Sequence, residues 1–270
     1  MQQAIAITGA SSGIGRALAV HLAEPGRHLF LLARREVELH ELAATLESLG
    51  AKATVYPIDF TEPEAYQKFH RHLAEKEIVL AEIYHCAAQI SMGAVHHTLW
   101  EDWTNIYRVN LLSTSEILST TYPEMVKRGH GKIILVSSMA PFGGYPMSAP
   151  YSATKTAVYG IFKSLQHEFH RTGVSLHLVC PSFVDTPLFE NFILRKVTLQ
   201  QVRHAILAIR LPIIPPKTAA QIIATKVAKG KKFITFPLPT RLLIFFARRF
   251  PLIGRPYIHR ALDFIGYPKS

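Results

Sequence analysis

The sequence predicts a doubly wound parallel α/β sandwich, three layers deep. Short apolar runs recur with amphipathic stretches between them, the connections are long enough for helices, and a glycine-rich turn follows the first run. The runs QQAIAIT, HLFLLAR, AKATVYPID, AEIYHCA, GKIILVSS, VSLHLVCPS and KKFITFP read as about seven buried strands. Six connections have helical length. Residues 36–49 carry Leu39, Leu42, Leu46 and Leu49 on one helical stripe and stop at Gly50, a residue suited to a helix C-terminus. Strand, helix, strand, helix requires parallel neighbours, and right-handed crossovers then place helices on both faces of the sheet.

The chain has 270 residues, 49% of them apolar and 18% charged, enough for a substantial core. Disorder, a disulfide scaffold and a collagen-like fibre are excluded. No fixed-period repeat or low-complexity tract divides the first 185 residues. The expectation is one domain over 1–237, including a substrate lid at 186–217, followed by a basic, apolar C-terminal extension at 238–270. The opening MQQAIAIT lacks a basic leader region, so neither a signal peptide nor a spanning helix is expected there. With only two cysteines, a reducing, cytoplasmic setting is the simpler reading, with membrane association left open.

Charge is unevenly distributed. The net charge is +11, but residues 1–190 carry 15 basic and 18 acidic side chains, whereas 191–270 carry 15 basic and one acidic, Asp263. The C-terminal third is therefore the part that would meet an anionic surface.

The first strand runs into Thr8-Gly9-Ala10-Ser11-Ser12-Gly13-Ile14-Gly15 and then a helical stretch. A dinucleotide's pyrophosphate must approach backbone N–H groups at a helix N-terminus, and a Cβ at the tight positions would block it. Gly9, Gly13 and Gly15 suit that geometry, with Ser11, Ser12 and Ile14 completing the turn. At the end of the second strand, an acid would accept from the ribose hydroxyls and repel a 2′-phosphate. Here stand Ala33, Arg34 and Arg35. Arg34 offers phosphate a planar fork and Ser11 a hydroxyl, so NADPH/NADP+ is favoured over NADH. The competing reading makes both arginines solvated charges at a helix start. After the third strand come Asp59 and Phe60. The Asp59 carboxylate either accepts from an adenine amino group or caps a helix beginning near Glu62, a role for which Thr61 competes.

Tyr151 and Lys155 are four apart on a predicted helix and project from one face. A nearby ammonium stabilises phenolate, which moves the phenol toward the working pH range and makes Tyr151 a proton donor to a developing alkoxide. The strand before it ends in Ser137-Ser138, at the carboxyl edge where this architecture binds ligands, and Ser138 is placed to hydrogen-bond a carbonyl.

Taken together, TGASSGIG, Asn110, Ser138 and Tyr151-x-x-x-Lys155 resemble the short-chain dehydrogenase/reductase family, over about residues 1–190 and the last strand at 231–237. The resemblance implies a Rossmann-like fold with Tyr151 as catalytic acid or base. Lys155 would lower its pKa and hold the nicotinamide ribose, and Ser138 would polarise the carbonyl. Asn110 resembles the family asparagine that kinks a helix and holds a relay water. The segment Pro181-Ser182-Phe183-Val184-Asp185-Thr186 resembles the one beside the nicotinamide carboxamide, with Thr186 as hydroxyl contact and Val184 as backbone partner. Two departures stand out. Cys86-Ala87-Ala88-Gln89 replaces an asparagine-rich turn, which predicts weaker hydrogen bonding there, and Ser182 replaces a commoner glycine.

Fourteen histidines invite a metal reading, but His167-Glu168-Phe169-His170 lacks the zinc-helix spacing and His96-His97 has no partner ligands, so no metal is expected and surface imidazoles are. Cys86 and Cys180 read as small core residues rather than nucleophiles. The segment 186–217 reads as a mobile, apolar lid, which points to a hydrophobic carbonyl substrate. In 238–270, arginines interleave with Leu, Phe and Ile, and the longest apolar run, 242–247, is too short to span a bilayer. Peripheral membrane contact is favoured. An oligomer contact or a flap over the pocket is the alternative, and no nucleic-acid motif accompanies the segment.

The sequence therefore points to NADPH-dependent reduction of a ketone or aldehyde, with a lipid-like substrate fitting best. Oxidation of an alcohol by the same residues, and a non-catalytic NADPH-binding membrane scaffold, are the other readings.

Overall fold

The structure is a computed structural model that describes residues 2–188, 192–208, 212–239 and 242. The chain begins β1 (Gln2–Thr8), α1 (Gly13–Leu22), β2 (His28–Ala33), α2 (Glu36–Ser48), β3 (Lys52–Pro57), α3 (Ala65–Glu75) and β4 (Ile78–His85). A short β5 (Ser91–Met92), α4 (Trp100–Tyr107), a π-turn (Arg108–Leu112) and α5 (Ser113–Arg128) follow. Then come β6 (Gly131–Val136), α6 (Ala149–Glu168), β7 (Val174–Pro181), β8 (Ile193–Leu194), α7 (Leu199–Ala208), α8 (Pro216–Ala228) and β9 (Phe233–Phe236). Seven strands form one sheet in the order β3-β2-β1-β4-β6-β7-β9, with every pairing parallel. The expected doubly wound sandwich is borne out.

Strand alternation explains the layers. Ile5 and Ile7 point to the face covered by Leu18 and Leu22 of α1, Leu39, Leu42 and Leu46 of α2, and Ile223 and Val227 of α8. Ala4 and Ala6 point to the other face, where Tyr66 and Phe69 of α3, Ile117 and Met125 of α5, and Val158 and Phe162 of α6 pack. Because both faces are buried, β2 reads as an unbroken apolar run whose residues divide between the two cores. The strand order reverses between β1 and β4, and their carboxyl ends open the crevice in which ligands of such sheets sit.

Two expectations need correction. Leu49 leaves the α2 stripe, being 45% exposed as the cap residue, and Gly50 follows at φ +86. The third helix starts at Ala65 rather than near Glu62, because Pro63 precedes Glu64, whose φ of +56 breaks helical geometry. The segment 186–217, expected to be a lid, contains β8, paired with β5, and α7 among its described residues. Most of the extension 238–270 lies outside the described residues. Among the described residues no helix is long and apolar enough to cross a membrane.

Candidate active site

Two pockets meet at the carboxyl edge of the sheet. One, about 210 Å³, runs along Gly9, Ser11, Ser12, Gly13, Ile14 and Gly15, past Arg34 and Arg35 on one side and Asp59 and Phe60 on another. The second, about 170 Å³, is lined by Ser138, Tyr145, Tyr151, Lys155, Pro181, Phe183 and Val184, and by Ile90, Met92, Val202 and Ile206. Ile14, Cys86, Ala88, Thr186 and Leu188 belong to both, so a long ligand in the first would present one end to the second. All the candidate catalytic and cofactor-binding residues except Asn110 line one pocket or the other.

The glycines of the turn are required by space. Gly9 and Gly13 adopt φ of +67 and +54, and a Cβ on Gly13 would sit 2.9 Å from Thr186 Cγ2. A Cβ on Gly15 would run into the Gly9 carbonyl oxygen. Helix α1 has no acidic residue in its first turn, and the Ser12 side chain makes no cap bond, so its N-terminal N–H groups and positive dipole end face the groove uncompensated. Such a cradle fits a pyrophosphate. At the end of β2 it is Arg35, for which the sequence offered only a solvated charge at a helix start, that reaches the turn. Arg35 Nε and Nη2 donate to Ser11 Oγ at 3.3 and 3.2 Å, and Glu38 pairs with the same guanidinium at 3.3 Å. The arginine tied to the glycine turn is thus Arg35, while Arg34 lines the groove beside it. Consecutive residues leaving a strand point to opposite sides, and that was the signal that only one of the two would reach Ser11. Asp59 is no helix cap: its Oδ1 accepts from Thr61 N and Thr61 Oγ1, both at 2.9 Å, in a local turn.

In the second pocket, Tyr151, Lys155 and Ser138 are buried together. Lys155 Nζ lies 5.6 Å from the Tyr151 ring centroid and donates to the Val136 carbonyl at 3.1 Å. Asn110 sits in the π-turn, the kink expected of it, at 1% exposure. Its Oδ1 accepts from Gln89 N at 2.8 Å, and its Nδ2 donates to Gln89 O at 2.8 Å and to Thr154 Oγ1 at 3.1 Å. The asparagine therefore clamps the loop after β4 to the helix bearing Tyr151.

A model of the short chain dehydrogenase family matches residues 3–196. The chain belongs to that family. It is an oxidoreductase by that membership. An uncharacterized oxidoreductase of Staphylococcus epidermidis is 32% identical over 185 residues, covering 68% of this chain and 79% of the relative. A fatty acyl-CoA reductase of Acinetobacter baylyi is 26% identical over 230 residues, 84% of this chain and 74% of the relative. A short-chain dehydrogenase from Sphingobium yanoikuyae, solved in complex with NADPH, has the same fold, with TM-score 0.78 at 22% identity, over 94% of this chain and 96% of that one.

In this short chain dehydrogenase, burial dominates the titration of Tyr151 and Lys155. It pushes the Tyr151 phenol well above its ordinary value, a direction reinforced by Tyr145 and opposed by the neighbouring Ser138 hydroxyl. Burial also brings the Lys155 ammonium down to about 8, against the opposing influence of Cys180 and Cys86. For the phenol, the cost of removing a phenolate from water is the largest influence, and its direction is opposite to the lowering expected from Lys155.

The turn after β4 is better held than its composition suggested. Thr8 Oγ1 accepts from Cys86 N and Ala87 N, each at 3.0 Å, and meets His85 Nδ1 at 2.8 Å. His85 Nε2 meets Ser113 Oγ at 3.0 Å, and that hydroxyl donates to Val109 O. Burial lowers His85 to about 3, so it is neutral, and the two hydroxyls assign its proton to Nε2. His28, His85 and His177 are buried, whereas His96, His167 and His170 are exposed as expected. Among the described residues no cluster of metal-ligating side chains occurs. Burial raises both thiols to about 12; Cys180 is a core residue as expected, whereas Cys86 is only partly buried and lines both pockets.

In the short chain dehydrogenase, the segment after β8 is tied to α4 by charge. Arg195 Nε and Nη2 donate to the two Asp102 oxygens at 2.7 and 2.6 Å, and Asp102 Oδ2 also accepts Leu99 N at the start of α4.

Proposed function

We propose that this oxidoreductase reduces the carbonyl of a lipophilic ketone or aldehyde with NADPH. The observation that carries the reading is the convergence of the Ser138 hydroxyl, the Tyr151 phenol and the Lys155 ammonium where the phosphate-binding groove opens into an apolar pocket. The N–H groups of the glycine turn would hold the dinucleotide's phosphates, Lys155 its ribose, and Thr186, Val184 and Pro181 the nicotinamide end. Arg34, Arg35 and Ser11, with no carboxylate at Ala33, favour a 2′-phosphate. When bound, the dinucleotide would supply the hydride from its nicotinamide ring.

The chain's own residues supply the rest. A buried phenol that resists ionisation is held as a neutral O–H donor, and Tyr151 passes its proton to the substrate oxygen as negative charge develops there. Ser138 hydrogen-bonds the same oxygen and polarises the carbonyl. Lys155 keeps an ammonium beside the phenol at neutral pH and compensates the phenolate left behind. Asn110, through Gln89 and Thr154, keeps the helix of Tyr151 in register with the loop under the groove.

Ile90, Met92, Phe192, Val202 and Ile206 around the reacting groups favour an apolar chain, and the likeness to a fatty acyl-CoA reductase agrees with one. Consumption of NADPH and of NADH, assayed with long-chain keto-lipids and with small polar ketones, tests this. Faster turnover of the keto-lipids with NADPH is expected, and turnover of the polar ketones alone overturns the lipophilic reading.

A further inference from the structure

One phenol in the apolar pocket has no task in the scheme above. Tyr145 stacks parallel to Tyr151, with ring centroids 6.1 Å apart and planes 8° from parallel, and Phe183 stacks on it at 6.3 Å and 18°. Its loop is fastened to the helix of Tyr151, since Tyr145 N donates to Ser152 Oγ at 2.9 Å. Its hydroxyl accepts a hydrogen bond from Ser138 Oγ at 3.1 Å. Ser138 Oγ in turn accepts from Ala140 N at 3.2 Å.

A serine hydroxyl has one proton, and here Ser138 spends it on Tyr145. A serine so engaged cannot also donate to a substrate oxygen. Tyr145, however, carries an O–H of its own. If both hydroxyls turn about their C–O bonds, no heavy atom moves and the hydrogen bond reverses. Tyr145 then donates to Ser138 Oγ, and the Ser138 proton is released toward the pocket. A hydroxyl that accepts two hydrogen bonds, from Ala140 N–H and Tyr145 O–H, is a stronger donor than one that accepts a single bond. The chain Tyr145, Ser138, substrate oxygen is then polarised in one direction, toward the oxygen that receives the Tyr151 proton.

We propose that Tyr145 is a positioning residue for Ser138: it engages the serine hydroxyl and turns its own proton onto Ser138 Oγ when a carbonyl is bound. The inference rests on the role given to Ser138 under the proposed function.

Tyr145→Phe keeps the ring and its two stacking partners and removes only the hydroxyl. With wild-type enzyme turning over a carbonyl substrate, the variant is expected to lose about tenfold in kcat, the worth of one hydrogen bond in the reacting state, at unchanged KM and unchanged NADPH affinity. In a Ser138→Ala background the same change is expected to cost nothing further, since the group through which Tyr145 acts is gone. A wild-type kcat for Tyr145→Phe overturns the proposal, as does an equal loss in both backgrounds, which would mark Tyr145 as a wall of the pocket. A second reading needs no turnover. In ligand-free protein with ¹³Cζ-labelled tyrosine, Ser138→Ala is expected to shift the Tyr145 resonance, and an unmoved resonance contradicts the hydrogen bond on which the proposal stands. Absence of turnover in the wild type would overturn the proposed function as well, whereas turnover unaffected by Tyr145→Phe overturns this inference alone.

Discussion

Lys155 sits where desolvation and function pull in opposite directions. The proposed function needs its ammonium beside Tyr151, yet burial brings it from an ordinary lysine value down to about 8. The folded protein therefore releases this proton at a lower pH than the unfolded chain does. The group's contribution to stability is present at pH above the ordinary lysine value and is lost as pH falls through about 8, while the charged form needed for chemistry persists below about 8. Log kcat/KM for reduction is accordingly expected to fall as pH rises through about 8, with the limb absent in Lys155→Arg, whose guanidinium stays charged. A pH profile flat across the alkaline range would contradict the role given to Lys155. At this scale the sequence was legible wherever chemistry demands a fixed spacing, as in the glycine turn and in Tyr151 and Lys155 one helical turn apart. It was illegible where partners are distant or where burial sets the sign. Arg35 reaches Ser11 across 24 positions, and the upward shift of Tyr151 depends on how deep the pocket is.

Among the elements, the lid shows most clearly how local reading falls short. The stretch read as mobile contains β8 and α7, and what organises it is a two-residue parallel pairing with β5 and a two-pronged ion pair between residues 93 positions apart. Neither leaves a periodic trace. Asp102 binds both the lid arginine and the first turn of α4, so Asp102→Ala is expected to loosen lid and helix together. The predicted result is a several-fold rise in KM for the carbonyl substrate with a smaller change in kcat, and faster proteolytic cleavage within 186–217. An unchanged KM and an unchanged cleavage pattern would show that the latch does not govern the lid. The α3 start was missed for a related reason: Pro63 was visible, but the left-handed Glu64 that delays the helix is a property of the folded loop. The π-turn at 108–112 was anticipated from Asn110, whose resemblance to a helix-kinking asparagine predicted the irregularity there.

For the whole molecule, seven parallel strands with the order reversing between β1 and β4 put every reacting group on one edge, and that much followed from the alternation of apolar runs and amphipathic connections. The surplus of positive charge is also a whole-molecule property, because it gathers in the last third of the chain. We expect the full chain to float with vesicles containing anionic lipid, and a version ending at Pro237 to remain in the soluble fraction. Equal recovery of both forms would remove the membrane role of 238–270. The central claim is that Tyr151 supplies the proton when a carbonyl is reduced at this edge of the sheet. The most direct measurement is NADPH oxidation by wild-type protein and by Tyr151→Phe, with cofactor affinity determined for both. The account predicts equal affinity, with turnover lost by about 10²-fold to 10⁴-fold in the variant. Turnover by Tyr151→Phe at the wild-type rate, or no affinity of the wild type for either nicotinamide dinucleotide, would contradict it.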